Sequence, residues 1–229
     1  GIRLAQFGWI MVGLTFFNDA SKYLAHDDAV LTIFCTAALP MGIGMAAWEG
    51  RVVDIQTKKS LLWARGAVAY AGGPYLLIAH VPWLNVLAIW FVASQAAMFL
   101  RFSGSGDVVL GETTVNTVNG EVAWSTWDGN RWFMGEFVGE YPFQTELLLS
   151  DGTAIGINFV LACTALQSMV IFIGAIAVLD IDWRRRCQAL LLTIPVIHIL
   201  YLFRNAGLIW MHMTYTELSY LAMSVFEFG

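Results

Sequence analysis

Apolar runs of about twenty residues recur along the chain, and they constrain its fold more than any other feature. A helix needs roughly 20 apolar residues to cross about 30 Å of hydrocarbon. Short polar segments separate the runs, which cover residues 4–24, 29–48, 61–79, 81–102, 159–179 and 187–209, with a shorter stretch at 217–228. The pattern predicts an all-α polytopic membrane protein, a bundle of several transmembrane helices.

The composition excludes the other broad classes. Of 229 residues, 58% are hydrophobic and only 13% are charged, whereas ordinary soluble domains carry about 25% charged residues. This excludes a cytosolic enzyme and a disordered chain. The net charge of −5 argues against nucleic acid as a partner. The three cysteines form no CxxC pair and the four histidines have no ligand spacing, so we expect no disulfide framework, metal or cofactor.

The charges divide the chain into three parts. Residues 103–158 hold eight acidic residues and one basic residue, Arg131, so their net charge is −7 and that of the rest is +2. Asn119-Gly120, between two β-prone stretches, is typical of a hairpin turn. We therefore predict N-terminal transmembrane helices over 1–102, a small β-rich extracytoplasmic insertion over 103–158, and further transmembrane helices over 159–229.

Basic loops predict the orientation of the chain. Residues 51–59 and 184–186 carry clustered Lys and Arg, which marks cytoplasmic loops, whereas residues 26–28 and the acidic insertion are expected outside. Only an odd number of crossings fits between residues 59 and 103. We therefore predict that residues 81–102 form an interfacial or re-entrant segment. The alternative is an ordinary span that violates the charge rule.

Ionisable side chains inside apolar runs are usually functional, and four candidates occur here: Asp19, Arg65, His198 and Arg204. Arg204 follows Arg186 by 18 residues, or about 27 Å of helix. Cys163 precedes Arg184 by 21 residues, or about 31 Å. Helices joined by a short loop are neighbours, so Cys163 and Arg204 are predicted to meet just below the outer surface.

A thiol beside a cation has a defined chemistry. The cation favours the thiolate, which is the nucleophilic form, and an arginine also stabilises an oxyanion on an attacked carbonyl. Packing is the usual role of a cysteine in an apolar segment, and we assign it to Cys35 and Cys187. Cys163 as a small packing residue and Arg204 as an interface anchor remain open alternatives on spacing alone.

Sequence around this pair resembles the exosortase/archaeosortase family. The likeness rests on Leu161-Ala162-Cys163-Thr164-Ala165-Leu166-Gln167-Ser168-Met169, on the basic turn that follows the next apolar helix, and on Leu202-Phe203-Arg204-Asn205. The resemblance implies that Cys163 is the catalytic nucleophile and Arg204 the essential cation beside it. It also implies a multi-pass protein of an archaeal cell membrane, with its active site near the extracytoplasmic face.

The resemblance further implies a membrane cysteine transpeptidase. Its substrates would be surface or secreted proteins that end in a sorting signal: a Pro-Gly-Phe motif, a transmembrane helix and a basic tail. The protein would then pass to a membrane lipid, with an ether-phospholipid headgroup as acceptor. The family's third functional residue, a His or Arg on a later span, is expected beyond Gly229, and His212 does not match its motif. A transporter or channel and a non-catalytic membrane scaffold are the alternative functions.

Overall fold

The computed structural model describes residues 2–25, 29–133 and 141–215, without the side chain of Lys22. Its contacts divide the chain into two units, one up to Gly66 and one from Ala67 onward. The predicted outer loop at 26–28 and the apolar stretch at 217–228 lie outside the described residues.

The first unit is helical. Helix α1 covers Ile2–Ala25, α2 covers Ala29–Arg51, and α3 begins at Ile55 and continues into the second unit as far as His80. Glycines bring α1 and α2 close together, because a Cβ on Gly42 would lie 2.6 Å from the Trp9 carbonyl oxygen. At the end of α2 the buried Glu49 pairs with Arg65 at 3.6 Å.

In the second unit one helix is covered by a sheet. Helix α4 (Pro82–Phe102) is followed by strands β1 (Val108–Thr117), β2 (Gly120–Ala123), β3 (Phe143–Leu149) and β4 (Ala154–Phe159). All pairings are antiparallel, in the order β2-β1-β3-β4. The fully buried core residues come from both layers: Val86, Ile89, Ala93, Ala96, Val108, Val115 and Leu147. The prediction of β-structure in this part of the chain is confirmed by the small antiparallel sheet.

The predicted hairpin also forms, although its turn falls one residue earlier. Thr117 pairs with Gly120, so the connecting residues are Val118 and Asn119. Gly120, which follows these two residues, has a positive φ of 110°, a conformation that glycine adopts without a Cβ clash. Trp124 is buried and stacks on Trp127, with ring centroids 5.4 Å apart, so both aromatic residues belong to the core of this unit.

The prediction of one continuous helix over residues 159–179 is wrong. Phe159 ends β4, Leu161–Thr164 form a single 3₁₀ turn, and helix α5 covers only Leu166–Ala177. The last described helix, α6, runs from Trp183 to Thr214. In this segment the continuous apolar run therefore indicated a hydrophobic environment, and it did not indicate a single continuous helix.

Three of the described helices, α2, α4 and α6, are long and apolar enough to cross a membrane by length and composition; α5 is a shorter apolar helix. Residues 82–102 form a single helix without an internal turn, so the predicted segment does not fold back on itself within that range.

Candidate active site

Cys163 lies in the 3₁₀ turn between β4 and α5. The Thr164 hydroxyl donates to the Leu161 carbonyl at 2.6 Å and accepts from the backbone N–H of Leu166, a local bonding pattern that closes turns. Ala165 then takes a left-handed conformation, with φ 58°, which lets α5 begin at Leu166. This conformation, which disfavours residues with a Cβ, presents Cys163 on a bend and not on a helix face.

The estimate of about 31 Å between Cys163 and Arg184 assumed a continuous helix, which the structure does not have. Cys163 and Arg204 are nevertheless close to each other, as predicted. The Asn205 side-chain Nδ2 donates to the Cys163 backbone carbonyl at 2.8 Å, and Arg204 is the preceding residue on α6. Asn205 is only 3% exposed. A buried amide that donates to a carbonyl 42 residues away holds the cysteine turn against α6.

A second link joins the same two segments one turn away. The Ser168 hydroxyl, on α5, and the Tyr201 hydroxyl, on α6, are hydrogen-bonded at 3.0 Å. The guanidinium of Arg204 lies over the Tyr201 ring, 5.5 Å from its centroid, within the range of a cation–π contact. Tyr201 thus contacts α5, the helix that follows Cys163, through its hydroxyl, and it contacts Arg204 through its ring.

Opposing effects set the acidity of the thiol. Cys163 lies outside the three helices that are long enough to cross a membrane. Burial raises the pKa of its thiol above the ordinary value. A backbone hydrogen bond from Val160 and the positive charge of Arg204 lower that pKa, with a smaller combined effect. The positive charge of Arg204 thus opposes the effect of burial on the pKa of the Cys163 thiol.

Helix α5 is also fixed against α3 within the second unit. Gln167 Nε2 donates to the Tyr75 hydroxyl at 3.2 Å. Lower down, a Cβ on Gly174 would lie 2.4 Å from the Ala67 carbonyl oxygen, so only glycine permits this approach. Cys163 consequently follows a sheet strand and precedes a helix that is packed on both sides.

The other ionisable candidates have local partners. His198 is hydrogen-bonded to Gln95 and stacks on Phe91 at 5.7 Å, so it belongs to the α4–α6 contact. In the first unit, Arg65 pairs with Glu49, which also accepts from Trp9 Nε1 at 3.1 Å. Asp19, which lies on α1, also takes part in an interaction. Cys35 is buried in the first unit, Cys187 is half-buried near the start of α6, and neither forms a disulfide with a described residue.

Asn205, Tyr201 and Ser168 were not singled out as site residues from the sequence. A signal was present, since each is a polar residue inside an apolar run and two of them flank Arg204 closely. Their partners could not be derived, because Tyr201 bonds across to Ser168 and Asn205 to a backbone atom. Gln95, the partner of His198, was missed for the same reason.

Comparison with known proteins indicates the class of protein to which this chain is similar. The sequence similarity supports a relationship to the exosortase/archaeosortase family of membrane proteins, but it does not identify a particular member. It rests on archaeosortase A of Haloferax volcanii, which is 28% identical over 217 residues, a stretch that covers 90% of this chain. The chain spans 61% of that relative's length. No family model and no solved structure matches the chain.

Proposed function

We propose that this chain is the catalytic part of a membrane cysteine transpeptidase in which Cys163 is the nucleophile and Arg204 the stabilising cation. The observation that carries the proposal is the Asn205–Cys163 hydrogen bond at 2.8 Å. It ties the cysteine turn to the residue next to Arg204, whose charge lowers the pKa of the thiol. The similarity to archaeosortase A is consistent with this chemistry.

The proposed reaction has two acyl transfers at Cys163. The thiolate attacks a peptide carbonyl, the C–N bond breaks, and the C-terminal fragment leaves as an amine that takes up a proton. Arg204 stabilises the oxyanion that forms on the attacked carbonyl. An acceptor amine then attacks the thioester, its proton is released, and the thiolate is restored. The acceptor is proposed to be an amine in an ether-phospholipid headgroup.

The proposed substrates are surface proteins with a C-terminal sorting signal that consists of a Pro-Gly-Phe motif, a transmembrane helix and a basic tail. Such a motif precedes its own membrane helix, so it lies near the membrane surface. A nucleophile on the bend between a sheet and an apolar helix pair suits that position. The transporter reading lacks comparable support, because Arg65 and His198 are each engaged with a local partner.

The test is processing of such a surface protein in a cell that lacks the chromosomal copy of this gene. Cys163→Ser should leave the C-terminal helix on the substrate, whereas the matched control Cys187→Ser should process it normally. Hydroxylamine, a small amine, should release the substrate as a hydroxamate in the wild type and in Cys187→Ser but not in Cys163→Ser, because it intercepts the thioester. Normal processing in Cys163→Ser would exclude Cys163 as the nucleophile.

A further inference from the structure

We propose that α4 does not cross the membrane but lies in its outer surface, docked on lipid through an apolar stripe formed by Leu87, Phe91, Met98 and Phe102. These residues recur at helical spacing along one side of α4 and are 46%, 58%, 47% and 85% exposed. By length and composition alone the same helix could span. The packing of the second unit decides between these placements.

The strands β1–β4 and the segments between them, here called the sheet unit, cover α4 along nearly its whole length. Near the start of the helix the backbone N–H of Trp83 donates to the Arg131 carbonyl at 3.0 Å. In the middle, Trp90 Nε1 donates to the Thr113 hydroxyl at 2.6 Å. Near the end, Leu100 is 2% exposed and shares one core with Val108. If α4 crossed the hydrocarbon, the sheet unit would have to cross with it.

An open sheet cannot lie in hydrocarbon, because its unpaired edge groups need water or protein partners. The described sheet has β2 and β4 at its edges. Its face away from α4 is polar as well, since Thr114 is paired with Gln144 and Glu146 with Asn158 across the strands. That face requires water. The layers therefore run from water through the sheet and α4 to the lipid.

Helix α6 shows where the membrane ends. Its 32 residues extend about 48 Å, roughly 18 Å more than the hydrocarbon thickness. In its first half Leu191, Leu192 and Val196 are 75%, 70% and 47% exposed, as expected of side chains that face lipid. In its second half Ala206 and Ile209 are buried in the core that α4 and the sheet share. The second half of α6 thus stands in the layer of α4.

The occupant of the stripe is lipid because the adjoining surface is also apolar. A groove of about 870 Å³ opens beside the stripe, between Leu87, Trp90 and Phe91 of α4 and Trp124 of the sheet unit. Within the stripe, Phe91 stacks on His198 of α6, yet more than half of its side chain stays exposed. An amphipathic helix with a polar layer on one side and an apolar stripe on the other is typical of helices that lie in the membrane interface.

Nitroxide depth measurement on the full chain in phospholipid vesicles tests this placement without any use of enzymatic activity. The background carries serine at Cys35, Cys163 and Cys187. Single cysteines at Leu87, Ser94 and Met98 report on α4, and single cysteines at Ala189, Val196 and Leu200 report on α6. Both sets have the same spacing, which corresponds to about 16 Å of helix.

The α6 labels should differ in depth by most of that rise, because α6 crosses the membrane. The α4 labels should lie at one shallow depth, within about one helical turn, or roughly 5 Å. A depth gradient along α4 equal to that of α6 would show that α4 spans and would overturn the proposal. Labels on α4 that are fully accessible to a water-soluble nickel complex would overturn it as well, because the stripe would then not contact lipid.

Discussion

The side-chain amide of Asn205 donates a 2.8 Å hydrogen bond to the backbone carbonyl of Cys163. This contact joins the turn that carries Cys163, the proposed nucleophile, to the helix that carries Arg204. Because it is made to a backbone atom, it fixes the bend itself and leaves the thiol free to react. Geometry of this kind is what acyl transfer requires, since small displacements of a nucleophile are costly.

We expect Asn205→Leu to impair catalysis more than folding. The substitution keeps the volume but leaves the Cys163 carbonyl without its donor, at a cost of about 1–3 kcal/mol in the free energy of unfolding. A displaced nucleophile should lower the acyl-transfer rate by about 100-fold. Thermal unfolding and single-turnover formation of the thioester measure the two effects. Asn158→Ala, at an exposed Asn158–Gln144 bond, is the control and should change neither by much.

Tyr201→Phe and Ser168→Ala should each destabilise the fold by about 0.5–1.5 kcal/mol, because each removes the same 3.0 Å hydrogen bond. The double variant should cost no more than either single change, which a double-mutant cycle measures. Additive effects would show that the two hydroxyls act separately. Tyr201→Leu also removes the ring beneath Arg204, which should lower the free energy of unfolding by about 0.5–1 kcal/mol more.

The rate of alkylation of Cys163 should rise with pH and should depend on Arg204. Burial raises the pKa of the thiol and the charge of Arg204 lowers it. Arg204→Gln removes the lowering effect, so the pKa rises further and the alkylation profile moves to higher pH. Each pKa unit reduces the thiolate fraction about tenfold below the midpoint.

A soluble alkylating reagent and the pH midpoint measure this shift. Arg204→Lys keeps the charge and should retain most of the wild-type midpoint. Arg184→Gln is the distant control, at the opposite end of α6. An unchanged midpoint in Arg204→Gln would mean that the arginine does not act on the thiol.

Ala165→Gly should stabilise the protein by about 1 kcal/mol. Ala165 holds a left-handed conformation, with φ 58°, which costs residues with a Cβ roughly 1–2 kcal/mol and glycine almost nothing. Part of this gain is offset by the greater freedom of glycine in the unfolded chain. Chemical denaturation measures the difference. Destabilisation would show that the Ala165 methyl group, which is buried, contributes more through packing than it costs in strain.

Gly174→Ala should separate α5 from α3. The new Cβ would lie 2.4 Å from the Ala67 carbonyl oxygen and 2.8 Å from the Ala71 side chain, and overpacking of this kind costs about 1–3 kcal/mol. Gly207→Ala on α6 has open space around the new Cβ and should be neutral or stabilising, as expected for alanine within a helix. Thermal unfolding of the pair gives the comparison.

The apolar runs predicted helices correctly over residues 29–48 and 187–209, which lie within α2 and α6. They failed over residues 159–179, because hydrophobicity records what surrounds a segment and not its backbone conformation. The strand end at Phe159, the turn at Cys163 and the left-handed Ala165 are set by packing against α4 and α6. No local pattern contains that information.

The sequence by itself determined a scarcely charged, largely helical chain with an acidic β insertion, and it indicated that Cys163 and Arg204 meet. These follow from hydropathy, charge and spacing along one segment or two consecutive segments. Only the tertiary structure decided that Asn205 holds the cysteine turn, that Tyr201 bridges Ser168 and Arg204, and that a sheet covers α4. The Asn205–Cys163 and Tyr201–Ser168 contacts join residues 42 and 33 positions apart, and such pairs form only when the elements between them have packed.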